Sequence, residues 1–438
     1  MRKQEGIMDQ GRIVHNTKWI IAGKVVQSLM QMVIGMISAR YLGPSSYGLI
    51  NYASSVVAFA VPVMQLGMNA TLVQEYVDHP EKEGEILGTA LAMNIVAAVA
   101  CMAGVISFTI AANSGDTVTI LVCALYSVTL LSQALEMVQY WFQAKLLAKY
   151  SSVAAVVAYA VVSAYKIFLL VTGKNVFWFA LSHAVEYGTT GILYIILYRR
   201  CGNQKCTVSL ARARDMFSRS KYYILATLMI TAYQSVDHIM LKNICSAAEN
   251  GFYTTAGTCM VVGTFVYNAI VESARPVILE ARKHSRQKFE HGIISLYSIL
   301  IYLTFLQSVV FFFLAKYIVF FLYGDAYRPA VPVLQILIWQ LPLSYMEITR
   351  GIWLLGEGKH NVLWVVNLCA MIGNITLNSL MIPTWGACGA AVASVLTQFI
   401  TNFVVGFFMK PIRRNNYLLL KGFDPRYLVE MVKQFLQK

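Results

Sequence analysis

The chain has 438 residues, of which 58% are apolar and only 13% charged, with a net charge of +14 and a mean hydropathy of +0.59. An ordinary soluble protein carries about 25% charged residues. So few charges could not cover the surfaces of the two or three soluble domains that this length would form. The composition therefore excludes a soluble globular protein and predicts a polytopic membrane protein.

Apolar stretches long enough to cross a hydrocarbon core of about 30 Å predict twelve transmembrane helices in an all-α fold. In chain order they lie near residues 17–39, 47–72, 85–111, 117–142, 150–171, 176–198, 220–242, 251–279, 292–315, 329–355, 361–382 and 386–409. None of the intervening segments is long enough to form a soluble domain. The first helix follows a basic segment and is too long for a signal-peptide core, so we expect it to stay uncleaved.

The distribution of Lys and Arg predicts the orientation of these helices. With the N-terminus inside, the inner segments hold 26 Lys and Arg residues and the outer loops hold five. This asymmetry predicts a protein of the cytoplasmic (inner) membrane with both termini cytoplasmic. The positive charge is thereby explained by topology, and nucleic acid is not expected as a partner.

The most basic internal segment, Arg199–Lys221, divides the predicted helices six and six. Gly48 and Ala53 in the first half match Gly251 and Ala256 in the second half at one constant offset, which indicates a parallel repeat. We therefore predict an N-terminal six-helix lobe (1–205), a C-terminal six-helix lobe (206–410) and a cytoplasmic amphipathic tail (411–438). Two such lobes would enclose a central cavity.

Polar stripes on the predicted helices are the candidate lining of that cavity, because polar side chains are costly in lipid. Lys24, Gln27 and Gln31 share one face of the first helix, and Asn268, Glu272 and Arg275 share one face of the eighth. The alternative is that such groups only hydrogen-bond neighbouring helices. Snorkelling towards the interface is the alternative for Lys24, which has no acid on its own helix face.

Intramembrane acids are candidates for coupling or gating. Glu272 with Arg275 and Glu347 with Arg350 repeat the spacing E-x-x-R, which lets opposite charges pair on adjacent turns. For these pairs a structural and a functional role are both open. Glu186 lies near the middle of its helix, where a lone carboxylate must be paired or protonated, so it is a candidate for ion or proton coupling. Asp237, near a helix end, is a candidate for gating.

Several short motifs resemble those of Wzx-type polysaccharide flippases, which belong to the multidrug/oligosaccharidyl-lipid/polysaccharide exporter superfamily. The signature after the first helix is Ser38–Pro44 followed by Tyr47 and Gly48. Further matching segments, in the same order and spacing, are Gln65–Met68, Tyr140–Ala144, Asp237–Leu241, Leu322–Tyr327 and Ile382–Gly386. No single segment is specific, but together they cover most of the chain.

The resemblance implies two lobes around a central cavity and export of a polyprenyl-diphosphate-linked oligosaccharide by alternating access. Cations of the first lobe would attract the diphosphate, and Lys24 and Arg40 are the matching positions. The pairing of Arg275 and Arg350 puts their roles as substrate ligands in question. Membrane lipids, a coupling Na+ or H+ and a glycan polymerase are candidate partners, and no cofactor or metal centre is expected.

Two other function classes compete with this interpretation. A cation-coupled multidrug antiporter of the same superfamily would share the architecture, but buried carboxylates would be expected to bind its cationic substrate. A membrane-embedded glycan polymerase or ligase would need a sizeable outer loop with catalytic residues, and all predicted outer loops are short. The sequence therefore favours a flippase and predicts that the protein is not an enzyme.

Overall fold

The computed structural model describes residues 2–202 and 204–429, apart from the side chains of residues 2–29, 70, 148 and 360. All regular secondary structure in this part of the chain is helical, as predicted. Contacts between Cα atoms divide the chain into two compact units, residues 1–235 and 236–438.

The first unit contains eight helices and the first part of a ninth. They are α1 (Arg2–Met64), α2 (Leu72–Asp78), α3 (Glu83–Ala112), α4 (Thr117–Ala134), α5 (Gln139–Ala144), α6 (Ala148–Val171), α7 (Val176–Ala180), α8 (Ser182–Cys201) and α9 (Leu210–Ile244). Helix α1 packs against α4 and α6, and α8 packs against the same two helices. The unit is therefore a bundle in which α4 and α6 each contact both α1 and α8.

The second unit begins with the end of α9. Its other helices are α10 (Ala247–Met260), α11 (Thr264–His284), α12 (Arg286–Tyr323), α13 (Ala330–Leu337), α14 (Gln340–Gly356), α15 (Leu363–Phe399), α16 (Gly406–Phe408) and α17 (Arg413–Gly422). Helix α12 packs against α11, α13, α14 and α17. It is the central helix of this bundle.

Helices α1 and α15 each comprise two helical segments that meet at a kink, close to where the sequence separates two predicted spans. The kink in α1 lies at Gly43, with φ 74° and ψ 168°, directly before Pro44. The kink in α15 lies at Gly386, with φ 54°. Only glycine adopts such backbone angles without steric cost. At the second kink the Glu249 carboxylate accepts the Ala387 backbone N–H at 2.7 Å, which satisfies a donor that the break has freed.

The predicted eighth span is broken. Helices α10 and α11 meet at Gly263, where φ is 87°, and their axes differ by 53°. The Gln307 side chain donates to the Val262 carbonyl at 2.8 Å and accepts from the Tyr267 hydroxyl at 2.6 Å. A side chain of α12 thus satisfies backbone that is irregular at membrane depth, as such breaks require.

Eight of the described helical segments are long and apolar enough to cross a bilayer, and nine if α10 and α11 form one bent span. From these nine, dividing α1 and α15 at their kinks adds two crossings, and the α7–α8 segment adds one, which gives twelve. Large apolar side chains project outward from these helices, including Phe313 and Phe321, which are 72% and 80% exposed. Such exposure suits contact with lipid and confirms the multi-pass membrane protein predicted from sequence.

The segment between α8 and α9 packs against the first unit. The Gly84 backbone N–H donates to the Gln204 side chain at 2.9 Å, and the Thr207 N–H donates to the Gly84 carbonyl at 3.2 Å. A Cβ atom at Gly84 or Gly88 would collide with the backbone of Lys205 or Thr207, so both glycines permit this close approach.

Ion pairs attach the start of α9 to the first unit as well. Glu75, 4% exposed, lies 3.2 Å from Arg219 and 3.8 Å from Arg212. The border between the two units therefore falls inside α9, after Ser235, whereas the sequence placed it at residue 205. The basic segment that divides the predicted helices six and six is attached to the first unit by these contacts.

Candidate functional site

A buried polar site of the second unit surrounds Asp237. This residue lies on α9 and is 6% exposed. Its carboxylate accepts three hydrogen bonds: from the Tyr253 hydroxyl at 2.6 Å, the Ser394 hydroxyl at 2.9 Å and the Asn378 amide at 2.5 Å. Helices α9, α10 and α15 thus converge on one carboxylate. These bonds offset part of the cost of burying a carboxylate.

Further oxygens lie beside this carboxylate. The Asn378 amide also donates to Asn374 Oδ1 at 3.0 Å, while Asn378 Oδ1 is buried and accepts from no described protein group. Carboxylate, amide and hydroxyl oxygens are the donor atoms that hard cations prefer. The site could therefore hold a small cation such as Na+, or a proton on Asp237 itself.

A histidine adjoins the Asp237 site. His238 Nδ1 shares a hydrogen bond of 2.7 Å with Asn250 Oδ1 and lies 3.4 Å from the Thr254 hydroxyl. Its ring contacts the Tyr253 ring edge-to-face, with centroids 5.3 Å apart. The histidine thereby packs against the tyrosine that bonds Asp237, so a charge change at either residue would be felt by the other.

The first unit has its own buried acid. Glu186 on α8 is 7% exposed, and its carboxylate lies 3.4 Å from His183 Nδ1. Glu136 and Lys166 lie close enough for their charges to interact with it. The candidate that the sequence left without a partner is therefore part of a charged cluster in a tyrosine-rich environment. The tyrosines whose electrostatic environment includes Glu186 or Glu136 are Tyr126, Tyr140, Tyr159, Tyr187 and Tyr194.

Arg350 is bound by the protein itself. It is 2% exposed, and one guanidinium nitrogen donates to the Thr401 carbonyl at 3.1 Å and to Asn402 Oδ1 at 3.0 Å. These partners belong to a π-helical turn, Ile400–Val405, which continues α15 and frees backbone carbonyls from their usual partners. Glu347 lies 3.9 Å from Arg350 and accepts from Gln398 at 2.9 Å. For Glu347 and Arg350 a structural and a functional role were both open, and these contacts favour the structural role.

The stripe on α11 is different, because its charged residues are exposed. Glu272 and Arg275 pair at 3.5 Å with side-chain exposures of 68% and 44%. Asn268 Oδ1 accepts from the Tyr345 hydroxyl at 3.0 Å. This stripe therefore keeps charged groups accessible for a ligand, and the exposed ion pair contributes little stability.

The candidates on the first helix are only partly described. Gln31 and Arg40 are exposed. The side chains of Lys24 and Gln27 lie outside the described residues. The structure brings Asp237 together with residues that the sequence analysis did not select: Tyr253, Asn374, Asn378 and Ser394. Two asparagines four residues apart in an apolar span were the signal that could have identified part of this site.

The model of the polysaccharide biosynthesis protein family matches residues 13–282, more than half of the chain. The chain belongs to this family. Its resemblance to polysaccharide flippases, first seen in short motifs, is thereby confirmed.

Two proteins of bacterial glycan biosynthesis are similar to this chain over most of their length. The capsular polysaccharide biosynthesis protein CapF of Staphylococcus aureus is 20% identical over 410 residues, covering 91% of this chain and all of that protein. The teichuronic acid biosynthesis protein TuaB of Bacillus subtilis (strain 168) is also 20% identical, covering 91% of this chain and 83% of that protein.

Solved structures show the same fold. A multidrug resistance MATE family transporter of the MOP superfamily, in an inward-facing conformation, matches with a TM-score of 0.66 over 90% of this chain and 96% of its own, at 13% identity. The lipid II flippase MurJ, in an inward closed conformation, matches with a TM-score of 0.62 over 95% and 100%, also at 13% identity. The family member described here therefore has the fold of MOP-superfamily transporters, as predicted.

Proposed function

We propose that the protein is a flippase that exports a polyprenyl-diphosphate-linked oligosaccharide across the cytoplasmic membrane by alternating access, with both termini cytoplasmic. The observation that carries the proposal is the family membership, on a fold shared with transporters that include a lipid II flippase. The two curated relatives named for capsular polysaccharide and teichuronic acid biosynthesis support a glycan cargo.

The buried carboxylate of Asp237 supports coupling of export to a Na+ or H+ gradient. A buried carboxylate is costly unless its charge is compensated. Three neutral donors compensate it in part, and a bound cation or proton would complete the compensation. Occupancy of this site would then depend on the ion gradient, which gives the transport cycle a driving force.

The diphosphate needs a cation in the path of the cargo. Lys24, chosen from the sequence, remains our candidate, together with the exposed Arg40 and Arg275. Lys24→Ala should block export at a normal membrane level, while Lys24→Arg should keep part of it. Normal export by Lys24→Ala would remove this residue from the path. Lys174→Ala, a cation of an outer loop, is the matched control.

A multidrug antiporter is the competing proposal, because a MATE transporter shares the fold. The deciding experiment reconstitutes the protein in vesicles with a polyprenyl-diphosphate-linked oligosaccharide and measures how much glycan becomes accessible to a lectin on the far side. A cationic dye in parallel vesicles measures drug transport. Glycan movement without dye movement supports the flippase. Dye movement alone would refute it.

We also propose that the protein performs no covalent chemistry on its cargo. The lipid-linked glycan recovered from the far leaflet in the same vesicles should have an unchanged mass. A longer glycan, or a glycan released from its lipid, would instead indicate the polymerase or ligase activity that the sequence analysis considered.

A further inference from the structure

An apolar groove of about 850 Å³ lies between α11 and α12 in the second unit. It runs along α11 from Phe265 to Ile278, a distance of about 20 Å at 1.5 Å per residue. Its lining is apolar except for two serines, and it includes the small residues Ala269, Ala274 and Gly292. Val277 at its edge is 69% exposed. The groove is therefore long, narrow and open at the side.

Hydrocarbon must fill this groove when the protein is in a bilayer, because water has no hydrogen-bond partners along an apolar wall. The larger side chains Leu296 and Ile299 form part of its wall. A polyprenyl tail is apolar along its whole length, so it can lie along such a wall without leaving a polar group unpaired.

Basic residues lie at one end of the groove. Lys288 precedes Gly292 by one turn of α12 and shares its face. Lys283 lies near the same end of α11 but to the side of the groove face, eleven residues after Glu272, and it pairs with Glu280 at 2.9 Å. Lys288 is exposed. An amphiphile with its tail in the groove would therefore place an anionic head beside Lys288.

We infer that this groove binds the isoprenoid tail of the lipid-linked cargo, with the diphosphate at the Lys288 end. The inference rests on the proposed function and adds a tail-binding site to it. The other face of α11 carries the exposed Glu272–Arg275 pair, so this helix separates a polar surface from an apolar one. A groove of this kind would hold the tail beside the helices while the glycan moves.

The test uses the full-length protein in vesicles and a polyprenyl diphosphate with a photoreactive group in its tail. We expect light to label peptides of α11 or α12, and we expect unlabelled polyprenyl diphosphate to compete where excess phosphatidylglycerol does not. Ala269→Trp, which fills the groove, should lose most of the labelling and slow glycan transport. Ala164→Trp, at an exposed alanine of α6, is the matched control and should change neither.

A charge-reversal variant, Lys288→Glu, tests the basic end without altering the packed interior. It should weaken labelling by the diphosphate probe but leave labelling by an uncharged polyprenol probe unchanged. This variant keeps the inference testable if Ala269→Trp fails to reach the membrane.

Three results would overturn the inference while leaving the proposed function intact, provided that the wild-type protein moves the glycan. They are labelling outside the groove, equal competition by phosphatidylglycerol, and full transport by Ala269→Trp at normal membrane level. If the wild-type protein moves no lipid-linked glycan, the proposed function fails and the tail site fails with it.

Discussion

Substitution of Asp237 by asparagine is the sharpest test of ion coupling. The change keeps the size of the side chain but removes its charge and turns one acceptor atom into a donor. The Tyr253 hydroxyl, the Ser394 hydroxyl and the Asn378 amide now donate to Asp237. One or two of these bonds would be lost or weakened, at about 1–3 kcal/mol each, the typical worth of a hydrogen bond to a charged group. The protein should still fold.

The larger effect should appear in the response to the coupling ion. If Na+ binds at Asp237, each tenfold rise in Na+ above its dissociation constant stabilises the wild-type protein by about 1.4 kcal/mol. Asp237→Asn should remove this dependence. If the ion is H+, Na+ leaves the wild-type protein unchanged, and only a pH gradient drives its transport. In both cases the variant should no longer respond to the effective gradient.

Thermal unfolding over a series of Na+ concentrations, and glycan transport in vesicles under imposed Na+ or pH gradients, measure these effects. Asp325→Asn is the matched control, because Asp325 is an exposed acid of the same unit. If Asp237→Asn responds to both gradients as the wild-type protein does, Asp237 is only a structural group and the coupling argument is wrong.

Three other substitutions test neighbouring parts of the argument. Glu186→Gln should reduce gradient-driven transport by disrupting its cluster with His183, and normal transport across imposed pH and Na+ gradients would contradict this. Arg350→Met should destabilise the protein by about 2–5 kcal/mol, because it leaves buried acceptors unpaired, and a melting temperature equal to that of wild type would refute the structural role. Arg414, which bonds Glu290, holds the pKa of that carboxyl below its ordinary value of 4.5. Glu290→Gln should therefore lower the free energy of unfolding by about 1 kcal/mol above pH 4.5. The difference in melting temperature from wild type should shrink as the pH falls through the lowered pKa. A difference that does not depend on pH would exclude this pair as its cause.

The sequence was sufficient to predict the membrane spans, because an apolar run of the required length has few other uses in a protein. It did not predict the break inside the eighth span, and it did not show how closely the spans on either side of Gly43 and Gly386 follow one another. Gly43 lies in an expected loop and Gly386 at the first residue of the twelfth predicted span, and at both residues the backbone leaves helical geometry. Whether a glycine ends a helix or bends it depends on what satisfies the freed backbone groups, such as Glu249 at the second kink. That partner lies more than a hundred residues away and is not visible as a local pattern.

Candidate site residues were harder to predict for the same reason. Asp237 was recognised as a charged residue in a span, but its partners Asn378 and Ser394 come from α15, about 140 and 157 residues further along the chain. For Arg350 the sequence showed one possible partner, Glu347. The structure adds Thr401 and Asn402, which hold the guanidinium more closely than the acid does. Local spacing finds charged residues, whereas tertiary contacts decide whether they are available to a ligand.

The two buried acids differ in how their charge is compensated, and this difference sets their order of importance. Glu186 has His183 at 3.4 Å and Lys166 within electrostatic range, so cationic side chains of the same unit can balance its charge. The groups that bond Asp237 directly are a phenol, a hydroxyl and an amide, none of which carries a positive charge, and the neighbouring His238 acts on it only through the electrostatic interaction of their charges. Asp237 has no ion pair as direct as that of Glu186 with His183, so its burial depends more strongly on a mobile cation bound beside it or on a proton that neutralises it. We accordingly expect Asp237→Asn to impair gradient-driven export more than Glu186→Gln does, and the reverse order in one vesicle assay would place the coupling site in the first unit.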